Sequence, residues 1–92
     1  MDTWNVYMVR CSDGSLYTGI AVDVARRVVE HNTNDALAAR YTRARRPVML
    51  VHQEKYDTRS AASKREYEIK QMGKKEKLTL FVADLNNNGS AC

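Results

Sequence analysis

The chain holds two cysteines, one proline and four glycines in 92 residues, and it has no long apolar run. Cys11 falls in an expected strand and Cys92 is the last residue, so neither a disulfide framework nor a metal-binding cysteine spacing is present. Two such thiols suit a reducing cytosol. No apolar stretch approaches the roughly 20 residues that span a membrane. No charged-then-apolar leader opens the chain. We therefore expect a cytoplasmic protein with no membrane partner. There is no internal repeat and no interdomain linker. Ninety-two residues make one domain, able to build one modest core without staples. What is there is ordinary for a globular fold: 43% hydrophobic and 28% charged residues. The net charge of +4 suits a polyanionic partner, a weak argument by itself.

Trp4 to Cys11 is nearly continuous in apolar and aromatic residues, which predicts a strand covered on both faces. Ser12-Asp13-Gly14 is turn chemistry, and Ser15 to Ala21 is the second strand of a hairpin. A three-residue turn with Gly14 left-handed pairs Cys11 with Ser15, Val9 with Tyr17 and Tyr7 with Gly19. Tyr7 and Tyr17 then share a face. A two-residue Asp13-Gly14 turn shifts the register by one and separates them. Asp-Gly suits either turn; we adopt the first, which also leaves room beside the Tyr7 ring at Gly19.

Asp23 is a helix N-cap or a first-turn acid. From Val24 to Asn32 the 3.6 period gathers Val24, Ala25, Val28 and Val29 on one side. Arg27 and His31 border that stripe, whereas Arg26 and Glu30 point to solvent. Thr33-Asn34-Asp35 is a break, and Ala36 to Tyr41 a short helix. Arg40, Tyr41, Thr42, Arg43, Arg45 and Arg46 then form a basic segment. Arginine interleaved with Tyr41 and Thr42 suits contact with a nucleic-acid backbone and stacking on bases. Pro47 stops any helix. Val48 to Tyr56 is a third strand, on whose surface His52 falls. Asp57 or Thr58 caps a helix from about Arg59 to Met72, with Gly73 as its C-cap. Lys74 to Asp84 is helix-like, with a strand as the alternative. Residues 85–92 have little to bury and are expected to be a disordered tail.

The expected fold class is α+β (α/β by looser naming). It is a small, mostly antiparallel three-stranded sheet flanked by helices in the order β-β-α-α-β-α-α, with residues 1–84 as the domain. This order resembles the GIY-YIG nuclease superfamily, with Val6-Tyr7, Tyr17-Thr18-Gly19, Asp23-Val24-Ala25-Arg26-Arg27 and Arg65-Glu66-Tyr67-Glu68-Ile69-Lys70 at matching places. Arg40-Tyr41-Thr42-Arg43 followed by Arg46-Pro47-Val48 resembles its small stand-alone bacterial members of the UPF0213 type. The likeness covers about residues 4–83. Asn5 stands in place of the first triad's glycine, and Ile20 where repair-type members often carry lysine. The asparagine that many full nucleases carry beyond the glutamate helix has no placeable counterpart.

The resemblance implies a metal-dependent nuclease that hydrolyses phosphodiesters in DNA or RNA. Tyr7, Tyr17, Arg27, His31 and Glu66 would be its catalytic residues, with Glu66 on the metal. Periodicity alone leaves Glu66 and Glu68 equally placed on their helix. A single carboxylate with waters suits Mg²⁺ or Mn²⁺. Arg27 would fork onto two phosphate oxygens. One of Tyr7 and Tyr17 would serve as base, its pKa lowered by the metal and the arginine, and the other would bind phosphate; we take Tyr7 as the base and Tyr17 as the phosphate ligand. His31 would orient a phosphate or a water. We expect a monomer whose partner is nucleic acid, chosen by its structure or through a targeting protein. The missing lysine and asparagine favour the alternative, a nucleic-acid-binding module of the same fold with weak or no catalysis.

Overall fold

The computed structural model describes residues 3–80. Strand β1 (Trp4–Arg10) and strand β2 (Leu16–Ala21) form a hairpin, followed by helix α1 (Val24–Thr33) and the short helix α2 (Arg40–Arg43). Strand β3 (Met49–Tyr56) and helix α3 (Arg59–Gln71) complete the fold, and residues 74–80 are helical again. The sheet is antiparallel with the order β2-β1-β3, so the fold is α+β. The expected domain limit at 84 and the tail at 85–92 lie outside the described residues. Among the described residues no helix is long and apolar enough to cross a membrane.

The central position of β1 explains its composition. Every residue from Asn5 to Val9 is buried. Tyr7 and Val9 face one core with Cys11, Val24 and Val48, flanked by Tyr17, Ala21 and Val28. Val6 and Met8 face the other, with Ala62 and Ile69 of α3, flanked by Leu16 and Ile20. Burying such a Val or Met stabilises the fold by about 1.5–3 kcal/mol each, so β1 joins the two layers.

The hairpin takes the three-residue turn. Gly14 has φ +83°, its amide donates to the Cys11 carbonyl (2.9 Å), and the Cys11 amide donates to Ser15 (2.8 Å). Val9 then faces Tyr17 and Tyr7 faces Gly19. The helix caps fall where side chains can accept: Asp23 takes the Arg26 amide and Thr58 takes the Ala61 amide.

Four local expectations are corrected. The helix expected over 36–41 is displaced, because the Asn34 carboxamide oxygen accepts the Ala36 and Leu37 amides (both 3.0 Å) and folds a turn there. Only Arg40–Arg43 is helical. Gly73 is not the left-handed cap of α3. Met72, extended, ends that helix, and the Gly73 carbonyl accepts the Lys77 amide to begin the next turn. On α1, Val29 is 59% exposed and Ala25 is exposed, while His31 is fully buried. The inner face therefore runs through Val24, Val28 and His31. Finally, His52 is buried rather than on the surface.

Candidate active site

Tyr7 on β1 and His31 on α1 meet in the core between sheet and helix. The Tyr7 hydroxyl lies 2.7 Å from His31 Nε2, and His31 Nδ1 lies 2.7 Å from Thr42 Oγ1 on α2. All three side chains are essentially inaccessible. Burial pushes His31 down to about 4, helped by the Arg27 and Arg46 charges and opposed by Glu30, so its ring is neutral at pH 7. Burial pushes Tyr7 up to about 12, with Tyr17 and Glu66 adding to the rise and Arg27 opposing it. The arginine alone does not lower this phenol: desolvation outweighs it, and the lowering expected from the sequence needs the metal as well.

Gly19 makes this packing feasible. A Cβ there would lie 2.6 Å from the Tyr7 hydroxyl and 2.8 Å from Cζ. Tyr17, half-buried, sets its ring edge against His31 with centroids 5.4 Å apart, and stacks on Tyr41 at 5.9 Å. Tyr17 therefore links the buried hydroxyl pair to the surface.

Arg27 and Arg26 behave as their places on α1 dictate. The Arg27 side chain is 27% exposed and Arg26 75%. Glu30, expected in solvent, is instead held between them, 3.1 Å from Arg27 Nη1 and 3.2 Å from Arg26 Nε. Arg27 Nη1 also donates to the Leu37 carbonyl at 2.7 Å. From α3, Glu66 bears on Tyr7, and Lys70 lies 3.3 Å from Glu66 Oε2 and 6.0 Å from the centre of the Tyr17 ring. Its one ion pair among the described residues is with Lys70. Glu68, the other candidate by periodicity, pairs loosely with Arg65 at 3.7 Å and is exposed. Four elements thus bring Tyr7, Tyr17, Arg27, His31 and Glu66 around one spot.

The basic segment divides. Arg40, Tyr41, Arg43, Ala44 and Arg45 line a shallow surface groove. The Arg45 guanidinium lies 4.0 Å over the Tyr41 ring and 3.1 Å from Asp13. Thr42, expected to touch nucleic acid, turns inward, which is a correction, and Arg46, with a quarter of its side chain exposed, is engaged at the end of α1. Thr42 is sealed against His31. Arg46 donates from Nε to the His31 carbonyl (2.6 Å) and from Nη1 to Asp35 (2.7 Å), while its Nη2 is buried. Its role is to tie off the end of α1.

Sequence reasoning missed three supports. Asn5 donates to the Ala21 and Val22 carbonyls (3.1 and 3.0 Å), clamping the exit of β2; its polar side chain in an apolar run is the signal. Asn32 exchanges two hydrogen bonds with the Val48 backbone, 3.0 and 2.7 Å, as a neighbouring strand would. Glu54 accepts from Tyr56 and Arg65 (2.6 and 2.8 Å) and lies 2.6 Å from His52 Nε2. Burial opposes its charge, yet these partners hold it down at about 2. This cluster packs α3 on β3.

The chain is similar to known proteins over most of its length. The family model described as the GIY-YIG catalytic domain matches residues 3–79. A UPF0213 protein of Desulfotalea psychrophila is 59% identical over 80 residues, covering 87% of this chain and 72% of that one. Another from Staphylococcus saprophyticus is 52% identical over 81 residues, 88% of this chain and 96% of the relative. Two solution NMR structures share the fold. The UPF0213 protein from Bacillus halodurans is 36% identical, with a TM-score of 0.56 over 88% of this chain and 84% of its own. A protein from E. faecalis is 38% identical, with a TM-score of 0.60 over 92% and 90%. With nearly its whole described length matched, and Tyr7 and Tyr17 on one hairpin face, this chain belongs to the GIY-YIG family.

Proposed function

We propose that the protein is a divalent-metal-dependent nuclease that hydrolyses phosphodiester bonds in DNA, with RNA as the other polymer the same chemistry accommodates. The observation that supports it best is the convergence of a buried Tyr7–His31 pair, an arginine and a carboxylate. Among the described residues no three His, Cys, Asp or Glu side chains gather, so a caged metal site does not fit. A single, largely shielded Glu66 does fit an ion that keeps most of its water, Mg²⁺ or Mn²⁺. Bound there, such an ion would supply Lewis-acid stabilisation of the phosphate and the leaving oxygen.

The side chains divide the remaining work. The Arg27 guanidinium bonds Glu30 and the Leu37 carbonyl through Nη1 and also bears on the Tyr7 hydroxyl, and its remaining hydrogens are the ones that reach a phosphate. A water oxygen attacks phosphorus and its proton passes to the Tyr7 oxygen, while the Tyr7 proton passes to His31 Nε2. The P–O bond to the leaving nucleoside breaks, and solvent protonates the leaving oxygen. With Tyr7 at about 12 and His31 at about 4 the resting pair stays neutral. Positive charge arriving at Glu66 acts on Tyr7 in the direction the transfer needs. Tyr17 contacts the phosphate. Arg40, Tyr41, Arg43 and Arg45 hold the flanking nucleic acid by backbone contact and stacking. Target choice then rests on nucleic-acid shape or on a targeting protein.

The test is cleavage of single-stranded, duplex, branched and flapped DNA and RNA with Mg²⁺, Mn²⁺ or EDTA, beside Glu66→Ala. Metal-dependent cutting lost in the variant supports the reading. A variant that cuts at the wild-type rate removes Glu66 from the mechanism. Salt-sensitive binding in EDTA with no cutting of any substrate would make the protein a binding module instead.

A further inference from the structure

We infer that Thr42 is a positioning residue, which holds His31 in the tautomer with hydrogen on Nδ1 and so keeps Nε2 an acceptor for the Tyr7 hydroxyl. The inference rests on the proposed role of Tyr7 and His31 in proton transfer, but the tautomer itself does not.

The argument follows the hydrogens. A threonine hydroxyl has one hydrogen to donate. Thr42 Oγ1 lies 3.0 Å from the Ala39 carbonyl oxygen, which can only accept, so that hydrogen points to Ala39. The lone pairs of Oγ1 then face His31 Nδ1 at 2.7 Å, and a neutral ring bonds there by placing its hydrogen on Nδ1. The Ala39 amide also approaches Nδ1, at 3.4 Å, and would favour the opposite tautomer. At 2.7 Å the threonine contact is much the shorter, and with the Thr42 hydrogen committed to the Ala39 carbonyl it is made only by a hydrogen on Nδ1. Nε2 is left bare, and the Tyr7 hydroxyl at 2.7 Å must donate to it.

Without Thr42, nothing selects this tautomer. A ring with hydrogen on Nε2 would donate to Tyr7 and could not take its proton. Around His31 the charged and titratable groups are Arg27 and Glu30 on its own helix, Arg46 before β3, Tyr7 on β1 and Tyr17 on β2, with Glu66 and Lys70 reaching the same tyrosines from α3. None of these is a fixed acceptor at Nδ1. The sequence neighbours of Thr42 point the other way: Tyr41 and Arg43 are exposed. Thr42 therefore carries an internal function within a surface segment.

The experiment is long-range ¹H–¹⁵N correlation of the imidazole nitrogens in the full chain at pH 7, for wild type, Thr42→Val and Thr42→Ser. The expected wild-type His31 signal is a single form, with Nδ1 protonated and Nε2 bare. Thr42→Val keeps the shape and removes the acceptor, so mixed tautomers or the Nε2–H form should appear; Thr42→Ser should restore the wild-type form. In the cleavage assay Thr42→Val should lower kcat about 100-fold, the lower end of a general base's usual contribution, with KM unchanged. The serine variant should stay within a few-fold of wild type. An Nε2–H ring in the wild-type protein overturns the inference, as does a tautomer unchanged in Thr42→Val. If Thr42→Val does not fold, Thr42→Ala removes the same hydroxyl without filling its place and is read the same way. A protein that cuts nothing fails the nuclease reading alone, because the nitrogen spectra still decide the tautomer.

Discussion

Replacing Gly19 by alanine places a methyl carbon 2.6 Å from the Tyr7 hydroxyl oxygen, 2.8 Å from Cζ and 3.0 Å from Cε1. Ordinary contact begins at 3.4 Å, so ring and strand must part by 3.4 − 2.6 = 0.8 Å. Tyr7 cannot swing aside, being 1% exposed with its hydroxyl 2.7 Å from His31. Pushed 0.8 Å along that bond's axis it collides with the imidazole; pushed sideways it leaves hydrogen-bonding range. Overpacking of this size costs about 1–3 kcal/mol, and a lost buried hydrogen bond adds about 1 kcal/mol. For a domain of this length that lowers Tm by about 8–32 °C. Cleavage should fall by about 100-fold, the usual effect of misplacing a reacting group by an ångström. Urea unfolding, thermal unfolding and cleavage rates are the assays. Gly73→Ala is the control: a Cβ there meets nothing within 4 Å and its φ is not positive, so the variant should match or slightly exceed wild-type stability. In a Tyr7→Phe background the Gly19→Ala penalty should shrink without vanishing, because the Cζ contact remains. Gly19→Ala within 0.5 kcal/mol of wild type, with the His31 signals unmoved, would refute the packing argument.

Acid should destabilise the protein through His31 first. Its folded pKa of about 4 lies below the ordinary 6.5, so stability is lost as pH falls below 6.5, by about 2 kcal/mol at pH 5. Glu54, held at about 2 against an ordinary 4.5, adds its loss only below 4.5. Urea unfolding between pH 6.5 and 5 should therefore slope in wild type and lie nearly flat in His31→Gln; equal slopes would remove His31 as the cause. Arg27→Ala should abolish cutting while Arg26→Ala, removing a 75% exposed side chain, changes it less than two-fold. Equal effects in the rate assay would contradict the division of α1. Tyr41→Ala should weaken single-strand binding by about 1–3 kcal/mol with an unchanged salt slope, whereas Arg40→Ala should lower the slope by about one, as fluorescence titrations at several salt concentrations can read.

The sheet was readable because long patterned segments carry their own evidence. A run with no polar alternation means a central strand, whereas Asp13-Gly14 suits two turns and only the structure shows the one that puts Tyr7 opposite Gly19. Arg27 was separable from Arg26 by helical angle alone. Glu66 was not separable from Glu68, and only the family resemblance picked it. The rest hid for physical reasons. A four-residue helix has no period, so nothing in Arg40–Arg43 announces that Thr42 faces inward. The Asn34 side chain redirects the chain by local hydrogen bonds that compete with helix at little cost in sequence signal. His31 reads as marginal to an apolar stripe of valines, yet with both ring nitrogens bonded it is fully buried.

The tie between the hairpin turn and the basic segment bears on how binding is powered. Ser12 donates from both its amide and its hydroxyl to the Arg45 carbonyl, at 3.0 and 3.1 Å, and Arg45 reaches back to Asp13. Helix α2 is far too short to persist alone. Anchored just past its C-terminal end to the turn through Arg45 and to His31 through Arg46, and from within to His31 through Thr42, it presents Tyr41 and its arginines from a frame already ordered before any ligand arrives. Immobilising long side chains on binding costs about 0.5–1.5 kcal/mol apiece. Here part of that entropy is surrendered during folding, so more of each phosphate contact survives as affinity than a free arginine-rich tail of the same composition would retain.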